Sequence, residues 1–373
     1  MQVALSKSQR IAAQRHLVRE AELAAGSLRS PLNPELEIAP GVGFTNSGFA
    51  LGQSFDVSGQ RRALAQMALT SVSLAQAEVR KTELEVGAQV VEQLMRHAAA
   101  RREAALAQTA LNLARTTRDA VKKRQEIGEV PAIQTSRAEL QVIRAEQTLA
   151  IAQAQVADQK LALGFWFDSS ITDSLEDELT FDNTVDGKPN RPESAIAMAH
   201  VGVALADEQV ARRESAPKLF VGIAADTWSL DRRPFRSENI GLQARLTMQP
   251  FDRRTNRKQV QSKEAATRAA RAELVEIDRR IALEVARAQA ELAAAQAVRE
   301  RYASGVVPRA AELVRAMQDG YTQGFVTLLE LLEAQNTLAE TATEASAATL
   351  RFQLAQLKLM TALGQVPGTE VTR

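Results

Sequence analysis

The sequence predicts a mainly α-helical chain that carries a few membrane-type β-strands and repeats one structural unit twice. Two very long stretches, Arg62 to Ile127 and Lys258 to Tyr321, contain no Pro until Pro308, and at about 1.5 Å per residue each would span on the order of 95 Å. Ahead of each stretch stand two segments in which apolar and polar residues alternate with the period of a strand. Aromatics are only 4% of the 373 residues. Ala, Leu, Glu, Gln and Arg take their place, residues that lose little side-chain freedom in a helix and let helices pack closely along their length.

In the first half a polar helix, about Lys7 to Leu28, leads into Asn33-Pro34 and an extended segment, Leu36 to Thr45. Next, Phe49, Leu51, Phe55 and Val57 alternate with Ala50, Gly52, Ser54 and Asp56, broken only by Gln53. The first long helix comes after them, breaks at Gly128, and a return helix runs to Gly164. The second half repeats this order. A helix from about Pro192 to Glu214 leads into Ala216-Pro217, then a strand with Leu219, Val221, Ile223 and Ala225 on one face. In the next strand Ile240, Leu242, Ala244, Leu246 and Met248 oppose Asn239, Gly241, Gln243, Arg245 and Thr247. The second long helix breaks at Gly324 and its return helix ends at Gly364. The expected organisation is therefore a first repeat over 1–190 and a second over 191–373, together forming one continuous protomer.

In the second long helix Leu274, Ile277, Ile281, Val285, Ala288, Leu292, Ala295, Val298 and Tyr302 recur at steps of three and four, the seam of a packed helix pair. The strands have one oily and one wet face, and about ten residues is what a tilted strand needs to cross a bilayer. Four strands cannot close a barrel, for which about eight is the minimum in membranes, and an open sheet in lipid would leave edge N–H and C=O groups unsatisfied. Closure has to come from other copies. A ring of three would supply twelve strands and gather the long helices into a hollow cylinder.

Composition excludes several functions. A net charge of +1, with basic and acidic residues interspersed, offers no footprint for nucleic acid. The chain has no Cys, which removes disulfides, thiolate metal sites and lipid attachment to cysteine. No run of about 18 apolar residues predicts a transmembrane helix. The start, Met1 to Arg19, lacks the apolar core of a secretory signal and reads as helix, so an exported form is expected to carry its signal upstream of Met1.

Several landmarks resemble the TolC family of outer-membrane factors, from about Ala24 to Gly364. They are Asn33-Pro34-Glu35-Leu36-Glu37, the strand exit Gln53-Ser54-Phe55-Asp56-Val57-Ser58-Gly59-Gln60-Arg61, the second exit Pro250-Phe251-Asp252-Arg253, and the run from Tyr321 through Gly324-Phe325-Val326-Thr327 to Glu330, Glu333 and Gln335, with its shorter echo Gly128-Glu129-Val130-Pro131-Ala132-Ile133-Gln134. The resemblance implies a homotrimer with a twelve-stranded β-barrel among the lipids of the outer membrane and an α-helical barrel of coiled-coil helices reaching through the periplasm. It would be a passive exit duct of a tripartite efflux system, coupled to a periplasmic adaptor and an inner-membrane RND-type pump. The Asn-Pro approach and the Gly-Gln-Arg exit resemble the branch that works with heavy-metal pumps, such as CzcC and CusC, which would make heavy-metal cations the cargo.

The resemblance also assigns roles. Glu330 and Glu333, three residues apart on one helix face, correspond to acidic positions lining the periplasmic entrance, where threefold symmetry would gather six carboxylates, favour cations and raise some of their pKa values by like-charge repulsion. Taken alone, two such Glu would be a solvated surface. Tyr321 falls where the family has a tyrosine that holds the entrance closed, but a family basic residue is Val326 here and its acidic partner is Gln134, so the charged latch is expected to be reduced. Gly128 and Gly324 end helices and reverse the chain; with Glu129, Val130, Tyr321 and Phe325 they would form the tips that meet the adaptor.

Nothing reads as an enzyme or a cofactor site. His16, His97 and His200 are isolated on helices with no second ligand at metal spacing, the seven Met are scattered, and no phosphate loop or activated Ser stands out. Two alternatives remain: a soluble coiled-coil scaffold, which accounts for the long helices alone, and an adaptor-like protein, which would carry one helical hairpin instead of two.

Overall fold

The computed structural model describes residues 2–30, 33–39, 48–56, 59–167, 189–214, 216–226, 240–247 and 253–365. In chain order the elements are α1 (Gln2–Lys7), α2 (Gln9–Arg29), β1 (Glu35–Ala39), β2 (Gly48–Phe55), α3 (Gln60–Glu126), α4 (Ala132–Gly164), α5 (Pro192–Glu214), β3 (Lys218–Asp226), β4 (Ile240–Thr247), α6 (Arg253–Arg301), a π-helical segment (Tyr302–Val306), α7 (Val307–Gln323) and α8 (Leu328–Ala362). An order of leading helix, strand pair, long helix and return helix thus occurs in both halves. The expected strand residues 40–45, Val57, Asn239 and Met248 lie outside the described residues, as do Ser58 and Pro250-Phe251-Asp252 of the landmarks.

The chain folds into two compact units, and neither is one of the sequence repeats. One comprises Met1–Ala12, Thr82–Arg191 and Arg280–Arg373; the other comprises Ala13–Lys81 and Pro192–Arg279.

The second of these units holds the sheet, whose strands lie in the order β1-β2-β3-β4, each antiparallel to its neighbour. Its landmark residues act as fasteners. The Asp56 carboxylate accepts from the backbone N–H groups of Gln60 and Arg61, at 3.2 and 2.7 Å, which satisfies free donors at the start of α3. Arg61 Nε donates to the Leu28 carbonyl at the end of α2, 2.9 Å away, and Arg213 from α5 donates to the Gly59 carbonyl at 2.7 Å. The resemblance of the Asp56-to-Arg61 run is therefore one of structure: it turns a strand into a helix.

The other unit is built on helix packing. Along α3, Leu111 and Ala114 pack on Val142 of α4, while Val91 and Met95 pack on Leu357 of α8. On the far side of α8, Leu359 and Ala362 meet Ala288 of α6, with Val285 and Leu292 alongside. Small residues at these contacts let the helix axes approach.

The seam expected along 274–302 faces inward at every named position except Val298, which is 42% exposed. Arg299 takes its place, its guanidinium 4.0 Å from the centre of the Phe352 ring, an attraction between cation and ring face. The long helix expected over 258–321 is also not uniform, for it opens into the π segment just before Pro308. Proline lacks the N–H that would bond to residue i−4 and its ring crowds that carbonyl; widening the turn relieves both.

Candidate functional site: helical tips and a two-faced sheet

At the tips, both chain reversals depend on glycine. Gly128 and Gly324 adopt φ of 79° and 82°, a left-handed conformation that a side chain disfavours. Between the turns lies a cluster of Val121, Ala138, Tyr321, Leu328, Leu331 and Leu332, flanked by Val130, Met317 and Val326. Val326 fits here because residue 320 is a glycine: a Cβ at Gly320 would come 2.5 Å from a Val326 methyl. Where the resemblance implies a basic latch residue, Val326 makes a packing contact.

Arg124, which sequence reasoning missed, joins the two hairpins. Its Nε pairs with Glu129 at 2.8 Å, its Nη1 donates to the Tyr321 carbonyl at 2.9 Å, and its guanidinium lies 5.0 Å from the Tyr321 ring centre. The available signal was the basic end of α3, Lys123 and Arg124, where cations meet free helix carbonyls. Tyr321 is 5% exposed, and among the described residues its hydroxyl has no hydrogen-bond partner of good geometry, with Arg124 the nearest polar group. Burial pushes this phenol above its ordinary pKa, opposed by the nearby Arg124 charge. Gln134, at the start of α4, likewise has a buried side-chain oxygen without a partner. Phe325 points outward, 83% exposed.

Glu330 and Glu333 are both exposed on α8, off the face that Leu328, Leu331 and Leu332 bury. Glu330 has a structural task as well. Its Oε2 accepts from the Thr327 N–H and hydroxyl, each at 2.8 Å, while Thr327 Oγ1 accepts from the Glu330 N–H at 3.3 Å, a capping box. The backbone N–H of Thr327, then its hydroxyl, hold the Glu330 carboxyl below its ordinary pKa. Within one protomer the direction is thus opposite to the rise that a ring of carboxylates would produce, and crowding would have to overcome the cap.

Return helix α4 has two faces. Thr135, Ala138, Val142, Ala152 and Leu163 are buried, while Ile133, Leu140, Ile143, Ile151 and Leu161, 49–79% exposed, fall on the opposite side at about 100° per residue. No element of this chain covers that stripe among the described residues.

The sheet also has two faces. In-register pairing puts Leu36, Leu51, Ile223 and Leu242 in one row, 52–89% exposed, with Ile38, Phe55, Val221 and Leu246 exposed on the same side. The other face carries Glu35, Glu37, Ser54, Phe220, Gln243 and Arg245 among Ala50, Gly52, Gly222 and Ala224. Gly52 pairs with Gly222, and a Cβ on Gly52 would meet the Phe220 ring and Gly222 Cα, both at 2.5 Å. The ring thus lies over bare backbone. Arg245 reaches across it, 5.7 Å from the ring centre, to pair with Glu37 at 2.8 Å. Glu37 and Arg245 belong to the two edge strands and stand four register positions apart, which in a flat sheet would put their Cα atoms about 19 Å apart; their contact requires the sheet to curl toward its polar face along that diagonal. The oily face is then convex and the polar face concave.

No described helix is long and apolar enough to cross a membrane. Among the described residues, the surface suited to lipid is the convex face of the sheet.

Comparison with solved structures gives the same architecture. The chain resembles a membrane protein from Pseudomonas aeruginosa with a TM-score of 0.81 and 18% identity, covering 97% of this chain and 92% of that one. It resembles the outer membrane protein VceC of Vibrio cholerae with a TM-score of 0.79 and 20% identity over 98% and 95% of the two chains. For the transmembrane channel CusC the TM-score is 0.78 and the identity 18%, over 98% and 91%. At these identities the likeness is one of fold. Among curated proteins, none matches the sequence. The model of the outer membrane efflux proteins matches residues 1–165 and 188–365, and the chain belongs to that family.

Proposed function

We propose that three copies of this chain close into one passive exit duct, in which the sheets supply twelve strands to a barrel in the outer membrane and the helices form a periplasmic barrel. The two repeats, 1–190 and 191–373, make up one continuous protomer. The observation that carries this reading is the sheet: four strands whose outer edges are unpaired among the described residues, curled so that the oily face is outermost and the polar face innermost. An open sheet of that kind is unstable in lipid, whereas a closed ring satisfies every edge group. The apolar stripe on α4 is a second surface for a neighbouring copy.

In this reading the tips at Gly128, Glu129, Val130, Gly324 and Phe325 dock a periplasmic adaptor, and an inner-membrane RND-type pump supplies the energy. Tyr321 and Gln134 control the entrance, and their buried oxygens, without a good partner among the described residues, leave acceptors for water or a neighbouring copy. Glu330 and Glu333 line the entrance with negative charge, which suits cations. Heavy-metal cations are the proposed cargo, supported by this acidic entrance. The chemistry is passage through a lumen; no reaction is assigned to the chain.

The test is the native mass and particle shape of the protein, expressed with an export signal and extracted from membranes in detergent. The expected result is a trimer seen as a long hollow cylinder. A monomer or dimer shaped as a solid rod would replace the duct with a coiled-coil scaffold.

A further inference from the structure

We infer that Glu37 and Arg245 form a matched charge pair that sets the ion preference of the export path at the level of the sheet. The inference rests on the duct reading, which makes the concave face the lumen wall. The centre of that face is bare, although Glu35 and Lys218 share the face: Ala50, Gly52, Gly222 and Ala224 stand no higher than a methyl group, and the glycines have no room for one, since an added Cβ would meet backbone atoms at 2.5 or 2.6 Å. Against this floor Glu37 and Arg245, which are half-exposed with side chains 46% accessible each, are charges that a passing solute would meet.

The geometry is diagonal and supported from below. Register aligns Glu37 with Ala50, Ala224 and Gly241, whereas Arg245 lies further along β4, opposite Phe220. Its side chain spans the difference by lying on the buried Phe220 ring, which rests in turn over Gly52. Phe220 is therefore the platform that directs the guanidinium toward Glu37. Paired, the two charges nearly cancel for an ion in the lumen. Removing either one exposes the other at the same place, so the pair acts as a balanced selector: Arg245 screens the acid that would favour cations, and Glu37 screens the base that would favour anions.

The test uses the full-length trimer in planar bilayers under a salt gradient, comparing Glu37→Gln, Arg245→Gln and the double variant by reversal potential. Glu37→Gln is expected to shift the permeability ratio toward anions, and Arg245→Gln toward cations, each roughly two- to fivefold, as befits a half-exposed charge acting through a water-like medium. The double variant should return near the unaltered ratio. Phe220→Leu, which keeps the charges but removes the ring face, should give a smaller shift in one direction with a noisier open current. Conducting trimers whose single variants leave the ratio unchanged, or shift it in the same direction, would overturn the selector and leave the duct standing. Unaltered protein that forms no conducting pores would overturn the duct and the selector with it.

Discussion

At Gly128 and at Gly324 the chain ends a long helix in the same way. The N–H after each glycine bonds back to the carbonyl five residues earlier, Glu129 to Arg124 at 2.9 Å and Phe325 to Gly320 at 2.8 Å, and both turns are Schellman motifs. The return helices begin differently. The second tip starts α8 with the Thr327–Glu330 capping box. The first starts α4 at Pro131 with no side-chain cap, and its turn is tied down by Arg124, which reaches to the Tyr321 carbonyl of the second hairpin. One tip is held by its own residues and the other leans on it, so duplicated sequence does not mean duplicated support.

The largest expected effect removes what both tips share. Leu331 is 1% exposed at the centre of the tip cluster, and Leu331→Ala should cost about 3 kcal/mol through lost contacts and a cavity. Amide hydrogen exchange of the detergent-extracted protein should then speed up in both turns. Protection lost at only one tip would mean that the cluster is not common ground.

Breaking the bridge should be milder and lopsided. Arg124→Ala removes a charged hydrogen bond, an ion pair and a ring contact, together roughly 1–2 kcal/mol. Exchange should rise most at 127–131, whose turn Arg124 braces through Glu129, and less at 324–327. Equal rises would contradict the dependence of one tip on the other.

The smallest effect sharpens the contrast. Thr327→Ala should cost about 1 kcal/mol, while Pro131→Ala should cost little, because no side-chain cap is lost there. The Thr327 penalty should also depend on pH. The Glu330 carboxyl is held below its unfolded value, so its contribution is present above about pH 4.3 and lost as pH falls through the lower folded value. The gap between wild type and Thr327→Ala should therefore narrow in acid. A gap that is flat from neutral pH to pH 3 would remove Glu330 from the cap.

Local periodicity made much of this legible. The alternation in 240–246 gives the oily and wet faces directly, and the steps from Leu274 to Tyr302 give the seam, because both depend only on near neighbours. Thr327-x-x-Glu330 is a capping-box pattern that could have been read, yet the entrance charge is the role that Glu330 suggests first. Arg124 on Tyr321, and Arg245 on Phe220 and Glu37, could not be read in this way. The first joins two hairpins far apart in the chain, and the second needs the register of four strands before its partners can be named. Val298 failed for a related reason: its spacing is right, but Arg299 finds an aromatic ring opposite and displaces it.

The π segment at Tyr302–Val306 bears on how sequence is counted along this helix. Positions Leu274, Ile281, Ala288, Ala295 and Tyr302 repeat every seven residues and face inward, so the next inward place in an unbroken α-helix would be Arg309. It is Ala310 that is buried, along with Val314 and Tyr321. The wide turn takes up one residue without advancing the phase, the equivalent of about 100° of rotation. The helix therefore carries a skip in its reading frame, and a lost residue has opposite meanings on either side of it. Deleting one residue within the wide turn would close it to an ordinary α-turn, crowded by Pro308, with Ala310, Val314 and Tyr321 still inward. The same deletion between Ala310 and Val314 would have no slack to absorb it, and would bring Arg315 and Thr322 to the inner face in place of Val314 and Tyr321.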